Sequence, residues 1–436
     1  MTPDERPWAG KRIHLIGIGG AGMSGWARVA GQLGATVSGS DRAESPALDH
    51  LRALGVEVHV GHDAANVPAG ADVFHSSAIP ADNPERTAGR PSLPRAELLR
   101  RLTALKRVIA VAGAHGKTTT TSMAAHALLG AGLAPGYLIG GALRSTGEHA
   151  DWGSHRSGGW LVVEADESDR SMLALDTDVA VVLNIELDHH ATYGSLAEVV
   201  EVFDAFRAAA PQVVAAPELA RPGDIVFAPE DLVLEPGGSR FGWRGHEVRL
   251  VVPGAHNARN AAAALEACRL TGADEAALVA ALAGFSGAGR RFERLGHTRS
   301  GAEVVDDYAH HPTEVAATIA AARSLRPRRL VACFQPHLFS RTRELYREFG
   351  AALAAADVAC VLDVYPARER AEDFPGVSGL LVAEAAADAA DGREVLWLPT
   401  LAEAERVLGP RLREGDLVLV MGAGDVDALG RALVVA

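Results

Sequence analysis

Lysine is almost missing from this 436-residue chain: the basic residues number 42, yet lysine stands only at Lys11, Lys106 and Lys117. Arginine fills nearly every other basic position, so a task that suits a compact ammonium better than a planar fork must be sought at those three places. Cysteine is scarce as well. Cys268, Cys333 and Cys360 are odd in number, widely spaced and without metal-like pairing, which excludes a disulfide framework and leads us to expect reduced, buried thiols. No apolar run approaches the ~20 residues of a membrane span, and the opening MTPDERPWAG lacks the apolar core of a secretion signal, so a cytoplasmic protein with no membrane partner is expected. A formal charge of −13 leaves no basic stripe for nucleic acid, whereas a small anionic ligand needs only a local positive pocket. The length is too great for one core, and a hydrophobic content of 48% is ample for two to four domains.

What is present is most informative at 108–122, VIAVAGAHGKTTTTS. An apolar strand-like run leads into a turn with Gly113 and Gly116, then Lys117, then four threonines that open a helical pattern. This is a nucleotide-phosphate cradle. Glycines let backbone N–H groups approach a polyphosphate, the helix N-terminus adds partial positive charge, Lys117 supplies a mobile ammonium, and Thr118, with Thr119 beside it, offers a hydroxyl for Mg²⁺. The spacing departs from the usual phosphate loop, because Val111 stands where its first glycine belongs. A plain glycine-rich turn would need neither the lysine nor the hydroxyl.

The fold class expected is α/β in three domains. Residues 1–105 form a Rossmann-like unit, with strands at IHLIGIGG, TVSGSD, GVEVHVG and ADVFHSSAI. In it Gly17, Gly19 and Gly22 make G-x-G-x-x-G, with Asp41 nineteen residues further on. That turn serves any ligand carrying a diphosphate, so by itself it does not specify NAD. Residues 106–292 form a central parallel sheet with strands at GYLIGG, WLVVEAD and DVAVVLNIE. After Pro211, short runs such as DIVFA and EVRLVV read as antiparallel strands beside that sheet, and NARNAAAALEACRLTG reads as a helix. Residues 293–436 form a second Rossmann-like unit, with strands at AEVVDDY, RLVACFQ, ADVACVLD and GDLVLVMGAG.

Ligands bind where the strand ends of a parallel sheet gather. Glu164, Asp166, Glu167 and Asp169 follow one apolar strand, and Asn184, Glu186, Asp188 and His189 follow another. With the phosphate loop, these ends would present Thr118, Glu164 and His189 to Mg²⁺, a cation that takes few protein groups and completes its shell on phosphate. In HNARN, His256, Asn257 and Asn260 have the spacing to meet a purine edge, though Asn257 could equally cap the helix. DDYAHHPTE and FQPHLFSRTRE each follow a strand. His310 and His311 are neighbours on extended chain and face opposite ways, which argues against a metal pair, while Arg341 is suited to carboxylate capture.

Taken in order, GIGGAGMSG at 17–25, GAHGKTTTT at 113–121, EADESD at 164–169, NIELDHHATY at 184–193, HNARN at 256–260, DDYAHHPTE at 306–314 and FQPHLFSRT at 334–342 resemble the Mur ligases over essentially the whole chain. The resemblance implies ATP-dependent amide formation between the carboxylate of a UDP-sugar acid, UDP-N-acetylmuramate, and an amino acid, L-alanine, in peptidoglycan precursor synthesis. It implies that the first domain holds the UDP-sugar through Gly17, Gly19, Gly22, Met23, Ser24 and Asp41. The central domain would hold ATP through Gly113, Gly116, Lys117, Thr118 and Thr119, with His256, Asn257 and Asn260 near the adenine and Asp306 facing the nucleotide. Thr118, Glu164 and His189 would hold Mg²⁺, and the third domain would bind the amino acid through Tyr308, His337 and Arg341 and close over ATP. Lys117, Glu164, His189 and Arg341 are the catalytic set so implied. Two departures matter. Ala191 stands where the family often has an acidic residue two places after the metal-binding histidine, and no lysine follows Lys117 to be carbamylated, so a metal bridge would need carboxylate, imidazole or water. Rival readings are the recycling ligase that attaches a tripeptide to the same acid, with an aromatic residue where Ser168 stands, an NAD-dependent oxidoreductase, and a nucleotide-dependent switch without chemistry. Oligomeric state is left open.

Overall fold

The structure is a computed structural model and describes residues 6–88, 91–154, 159–188 and 192–434. They fall into two compact units: one takes in the chain up to Asp188 with Thr192–Ala228 and Asn260–Leu282, the other Pro229–Arg259 and the chain from Ala283 onward.

The first unit contains two sheets. In the five-stranded one, β1 (Arg12–Ile16), β2 (Thr36–Asp41), β3 (Glu57–Val60), β4 (Asp72–His75) and β5 (Leu93–Pro94) are all parallel, in the order β3-β2-β1-β4-β5. Helices α1 (Ala21–Gln32), α2 (Pro46–Ala53) and α3 (Arg95–Thr103) connect or follow them. Because β2 and β4 leave β1 on opposite sides, the glycine turn after β1 lies at a topological switch point. In the seven-stranded sheet, β6 (Arg107–Ala112), β7 (Gly136–Leu143), β8 (Glu148–Asp151), β9 (Trp160–Ala165), β10 (Val179–Val182), β11 (Gln212–Ala215) and β12 (Ile225–Val226) run in the order β12-β11-β10-β6-β9-β7-β8. All neighbours are parallel except β7 and β8. The unbroken apolar runs VIAVA and VAVV are what a strand covered on both faces requires, and every residue of both is buried. Helix α4 (Lys117–Gly130) follows β6, and α5 (Leu196–Ala209) starts on the hydroxyl of Ser195, which accepts from the Glu198 N–H.

The second unit holds a three-stranded antiparallel sheet, β13 (Glu230–Glu235), β14 (Gly238–Trp243) and β15 (His246–Leu250). Helix α6 (Ala255–Arg269) begins in this unit and ends in the first, where α7 (Glu275–Leu282) follows it. A six-stranded sheet completes the second unit: β16 (Glu293–His297), β17 (Glu303–Asp307), β18 (Arg329–Phe334), β19 (Val358–Val361), β20 (Glu394–Trp397) and β21 (Asp416–Met421), in the order β16-β17-β21-β18-β19-β20. Only β16 is antiparallel to its neighbour. Helices α8 (Pro312–Ser324) and α9 (Phe339–Leu353) follow β17 and β18.

The α/β class, with parallel sheets and a small antiparallel addition, is as the sequence implies. DIVFA is the exception: β12 pairs parallel with β11 at the edge of the main sheet instead of joining the antiparallel strands. Its two residues are too few for alternation to reveal a partner, and the path of the chain alone sets its direction. Strands β8, β16 and β20 were not read from the sequence. All three lie at sheet edges, and in β8 and β16 the apolar pattern is thin.

The first sheet conceals a polar network. Glu85, fully buried, takes Asn66 Nδ2 at 2.7 Å and the Asp63 N–H at 3.1 Å on one oxygen. Its other oxygen faces the Ser40 hydroxyl, with His14 Nε2 and His62 Nδ1 each at 3.5 Å. Burial alone would raise its pKa, but the hydrogen bonds from His14, Ser40, Asn66 and Asp63 outweigh burial and lower it from 4.5 to about 2. A carboxylate depressed in this way stabilises the fold fully above pH 4.5 and loses that contribution as pH falls toward 2, a difference of roughly 3 kcal/mol. Glu85→Gln should therefore lower stability at neutral pH by about that amount, with the gap to the parent closing by pH 2; urea unfolding at a series of pH values measures it.

Candidate active site

The order of the seven-stranded sheet decides which side chains meet. Strand β6 lies between β9 and β10, so the loop that ends β6 is flanked by the two strand ends that carry the acid clusters. Gly116 has φ +84°, and a Cβ there would stand 2.7 Å from Asn260 Oδ1; only glycine meets both conditions. It starts α4, whose first turn of Lys117, Thr118 and Thr119 carries N–H groups that have no acceptor within the helix. Four threonines are poor helix formers, but Thr118, Thr120 and Thr121 are buried, so packing holds the helix.

Asn184 clasps this loop. Its Oδ1 accepts the His115 N–H at 2.9 Å and its Nδ2 donates to the His115 carbonyl at 3.0 Å, as a neighbouring strand would. His115 Nε2 lies 3.2 Å from Glu186. On the other side, Thr118 Oγ1 donates to Glu164 Oε2 at 3.2 Å, while Glu164 Oε1 accepts the Gly140 N–H at 2.5 Å. Register explains the meeting, since Glu164 on β9 pairs with Val111 on β6. Gly140 carries no side chain because one would stand 3.1 Å from the Glu164 carboxylate and 3.3 Å from Thr118 Oγ1. His189, the third expected metal ligand, lies outside the described residues.

Lys117 is held by acceptors on every side. Its Nζ donates to the carboxylate of Glu167 at 2.9 and 3.0 Å and to the Gly113 carbonyl at 2.6 Å. Burial favours the neutral amine, yet the nearby Glu167, Asp166 and Glu164 overcome it and raise the pKa, so Lys117 is a fixed cation. Asp166 is pushed the other way. Despite burial, Lys117 and Arg95 bring it down to about 2.

At the turn after β1, Gly17 has φ +81° and packs on Ser76 and Ile79. Asp41 folds back to accept the Gly19 N–H at 2.9 Å and the Arg42 N–H at 2.7 Å. Gly22 lies in the first turn of α1, beside Arg95. Met23 is buried in the core and Ser24 Oγ lies 3.2 Å from His149 Nε2, so Met23 offers a ligand backbone alone.

In the second unit, Asn257 sits inside the first turn of α6 and donates to the Pro253 carbonyl at 2.7 Å. Burial takes His256 down to about 4, so its ring is neutral at physiological pH. Asp306, expected to face the nucleotide, is fully buried and accepts from Arg290 Nε at 3.0 Å; burial raises it to about 6 in spite of that arginine. Arg290 also donates to the carbonyls of Gly422 and Gly424 at 2.8 and 3.2 Å. Tyr308 lies between two guanidiniums, Arg290 and Arg291, each 5.1 Å from its ring centroid. From it a row of rings runs through His310 (5.2 Å), His337 (6.1 Å) and Tyr365 (5.8 Å). Arg341 is buried with Nη1 3.4 Å from His337 Nδ1. Strand β21 lies between β17 and β18, which brings Tyr308, His337 and Arg341 to one switch point.

Sequence reasoning missed Arg95, Gly140, Arg290 and Tyr365. None stands in a motif of its own; each matters through a neighbour distant in the chain. The paired arginines at 290–291 before β16 were the one visible signal.

A phosphate loop flanked by two acid-bearing strands, in a chain of parallel sheets, is the arrangement of a nucleotide-phosphate site. The chain belongs to the Mur ligase family: "Mur ligase family, catalytic domain" matches residues 12–110 and "Mur ligase, glutamate ligase domain" matches 290–424. It is 44% identical to the UDP-N-acetylmuramate--L-alanine ligase of Acidithiobacillus ferrooxidans over 97% of each chain, and 45% identical to that of Streptomyces avermitilis over 97% of each. The solved UDP-N-acetylmuramate-alanine ligase of Thermotoga maritima superposes with a TM-score of 0.81 at 29% identity, covering 97% of this chain and 98% of that one. A MurF ligase from the same organism, solved in complex with ADP, shares the fold with a TM-score of 0.60 at 18% identity, covering 91% of this chain and 93% of that one.

If Asn184 shapes the phosphate loop, Asn184→Ala removes two hydrogen bonds worth about 1 kcal/mol each. ADP affinity, read by calorimetry, should fall roughly tenfold or more while UDP affinity is unchanged.

Proposed function

We propose that the protein joins L-alanine to the carboxylate of UDP-N-acetylmuramate at the expense of ATP. The observation that carries this is the seating of Lys117, Thr118 and Glu164 on two adjacent strand ends, Lys117 and Thr118 opening α4 after β6 and Glu164 on β9, in a chain 44% identical to such ligases over nearly its whole length. The tripeptide-adding alternative, by the family resemblance, tends to have an aromatic residue where this chain has Ser168. An oxidoreductase gives Lys117 and the two acid clusters no task, and a nucleotide-dependent switch would hydrolyse ATP without forming an amide.

A carboxylate is a poor electrophile, and transfer of the γ-phosphoryl group to it gives an acyl phosphate that an amine can attack. The donor set fits Mg²⁺, since Thr118 Oγ1 and the Glu164 carboxylate are hard oxygen ligands. That ion, held by Thr118, Glu164 and His189, would offset charge on the phosphoryl oxygens. Lys117 does the same from the α4 side, and the N–H groups of Lys117–Thr119 bind phosphate oxygens. Gly17, Gly19 and Gly22 take the UDP-sugar diphosphate at the start of α1. Asn260, packed on Gly116, with His256 and Asn257, lies toward the adenine. Asp306 acts through Arg290 on the Gly422–Gly424 loop. Tyr308, His337 and Arg341 take the amino acid, with Arg341 pairing its carboxylate. Collapse of the tetrahedral adduct expels phosphate and leaves the amide. We place the reaction in the cytoplasm, which supplies ATP and keeps the three free cysteines reduced.

Phosphate release with ATP, UDP-N-acetylmuramate and L-alanine should exceed that with the tripeptide; the reverse preference sinks the proposal. Lys117→Ala should lower ADP formation by roughly 10²–10³-fold with UDP-sugar affinity within twofold of the parent.

A further inference from the structure

Arg95 begins α3 at the same edge of the first sheet as the glycine turn, because β1 and β5 are parallel members of that sheet. Its guanidinium reaches across to the seven-stranded sheet. Nε donates to Asp169 Oδ2 at 2.6 Å, and Nη2 donates to Asp166 Oδ2 at 2.9 Å and to Ser171 Oγ at 3.3 Å. The plane rests over the Trp26 ring at 5.5 Å. The two aspartates are themselves fixed, since Asp166 Oδ1 accepts the Ser168 N–H and Asp169 Oδ1 the Ser171 N–H. These contacts use the Nε and Nη2 donors and leave those of Nη1. Nη1 has no partner among the described residues and lies 3.6 Å from the point where a Cβ of Gly22 would stand, at the first turn of α1.

The balance of charge gives this orientation a purpose. The segment 164–169 brings four carboxylates to the end of β9, next to the place where two anionic substrates must meet. Lys117, at the head of α4, is the cation for the triphosphate. Arg95 is another cation touching that acid segment, on the side of the glycine turn. A guanidinium locked by two carboxylates and an aromatic face presents its free edge with little rotamer entropy to lose.

We propose that Arg95 is a substrate-binding and positioning residue for the UDP-sugar acid, its Nη1 donating to an anionic oxygen of that substrate at the start of α1 while Nε and Nη2 hold Asp166 and Asp169 away from it. This rests on the ligase reading above. The anionic oxygen belongs either to the diphosphate or to the lactyl carboxylate, and the two are separable.

The test is calorimetric binding of UDP-N-acetylmuramate, and of the UDP-sugar that lacks the lactyl carboxylate, to the full-length parent, R95A and R95K. A second series repeats them in the D166N/D169N background, which removes the acids that Arg95 otherwise balances. Loss of charge-assisted hydrogen bonds predicts a roughly 10- to 100-fold weaker UDP-sugar acid in R95A, a smaller defect in R95K, and ADP affinity within about threefold of the parent. Weakening of both sugars assigns Nη1 to the diphosphate; weakening of the acid alone assigns it to the carboxylate. Unchanged sugar affinity in R95A or R95K that melts with the parent's cooperativity overturns the proposal, and so does a defect that vanishes in the D166N/D169N background, which would make Arg95 a tie between sheets and nothing more. Binding needs no turnover, so a parent protein that forms no amide would defeat the ligase reading without deciding the role of Arg95.

Discussion

The placing of β6 between β9 and β10 is the constraint on which the rest of the first unit turns. A parallel sheet gathers strand ends at one edge, but which ends become neighbours is a matter of strand order. Here the order sets Glu164 beside Thr118, Glu167 around the Lys117 ammonium and Asn184 against the backbone of His115. These groups are delivered to the phosphate loop by adjacent strands. Lys117 then keeps its charge in a partly buried position because three carboxylates outweigh the cost of desolvation.

The same logic recurs at the other two large sheets. Strand β1 lies between β2 and β4, and its glycine turn closes on Asp41 from β2 and Ser76 after β4. Strand β21 lies between β17 and β18, and its glycine loop packs on Gln335 and Tyr365: a Cβ on Gly424 would meet both at 2.5 Å. The strand that ends in glycines is thus the strand at each switch point, and its neighbours supply the polar side chains. In the second unit these form the row Tyr308, His310, His337 and Tyr365, edged by Arg290, Arg291 and Arg341. Leu338 enters α9 with φ +72°, a strained conformation for a branched side chain, beside the same row.

Much of this was legible from residues alone, and the reason is locality. GAHGKTTTT names its own chemistry because the glycines, the lysine and the hydroxyl that make a phosphate cradle are consecutive. Apolar runs such as VIAVA and DLVLVM announce buried parallel strands without help from distant residues. Where a residue's type was plain locally but its partner lay far along the chain, the sequence stopped short. Asn184 and Glu167 stood out as members of polar clusters, yet nothing in the chain says that one clasps His115 and the other holds Lys117. Asp306 looked like a group for the nucleotide, and the fold buries it against Arg290.

What the sequence by itself determined is therefore the chemistry available: one phosphate loop, two carboxylate clusters, a diphosphate turn and the α/β class, each written within a dozen residues. Tertiary structure alone decided the pairings. Arg95 is 71 residues from Asp166 in the chain and sits in no motif, while Glu85 reaches His14 across 71 residues to form a buried network. The physical reason is that a charged or amide side chain gains its meaning from the group that satisfies it, and in a multi-sheet protein the order of strands, not the order of residues, chooses that group.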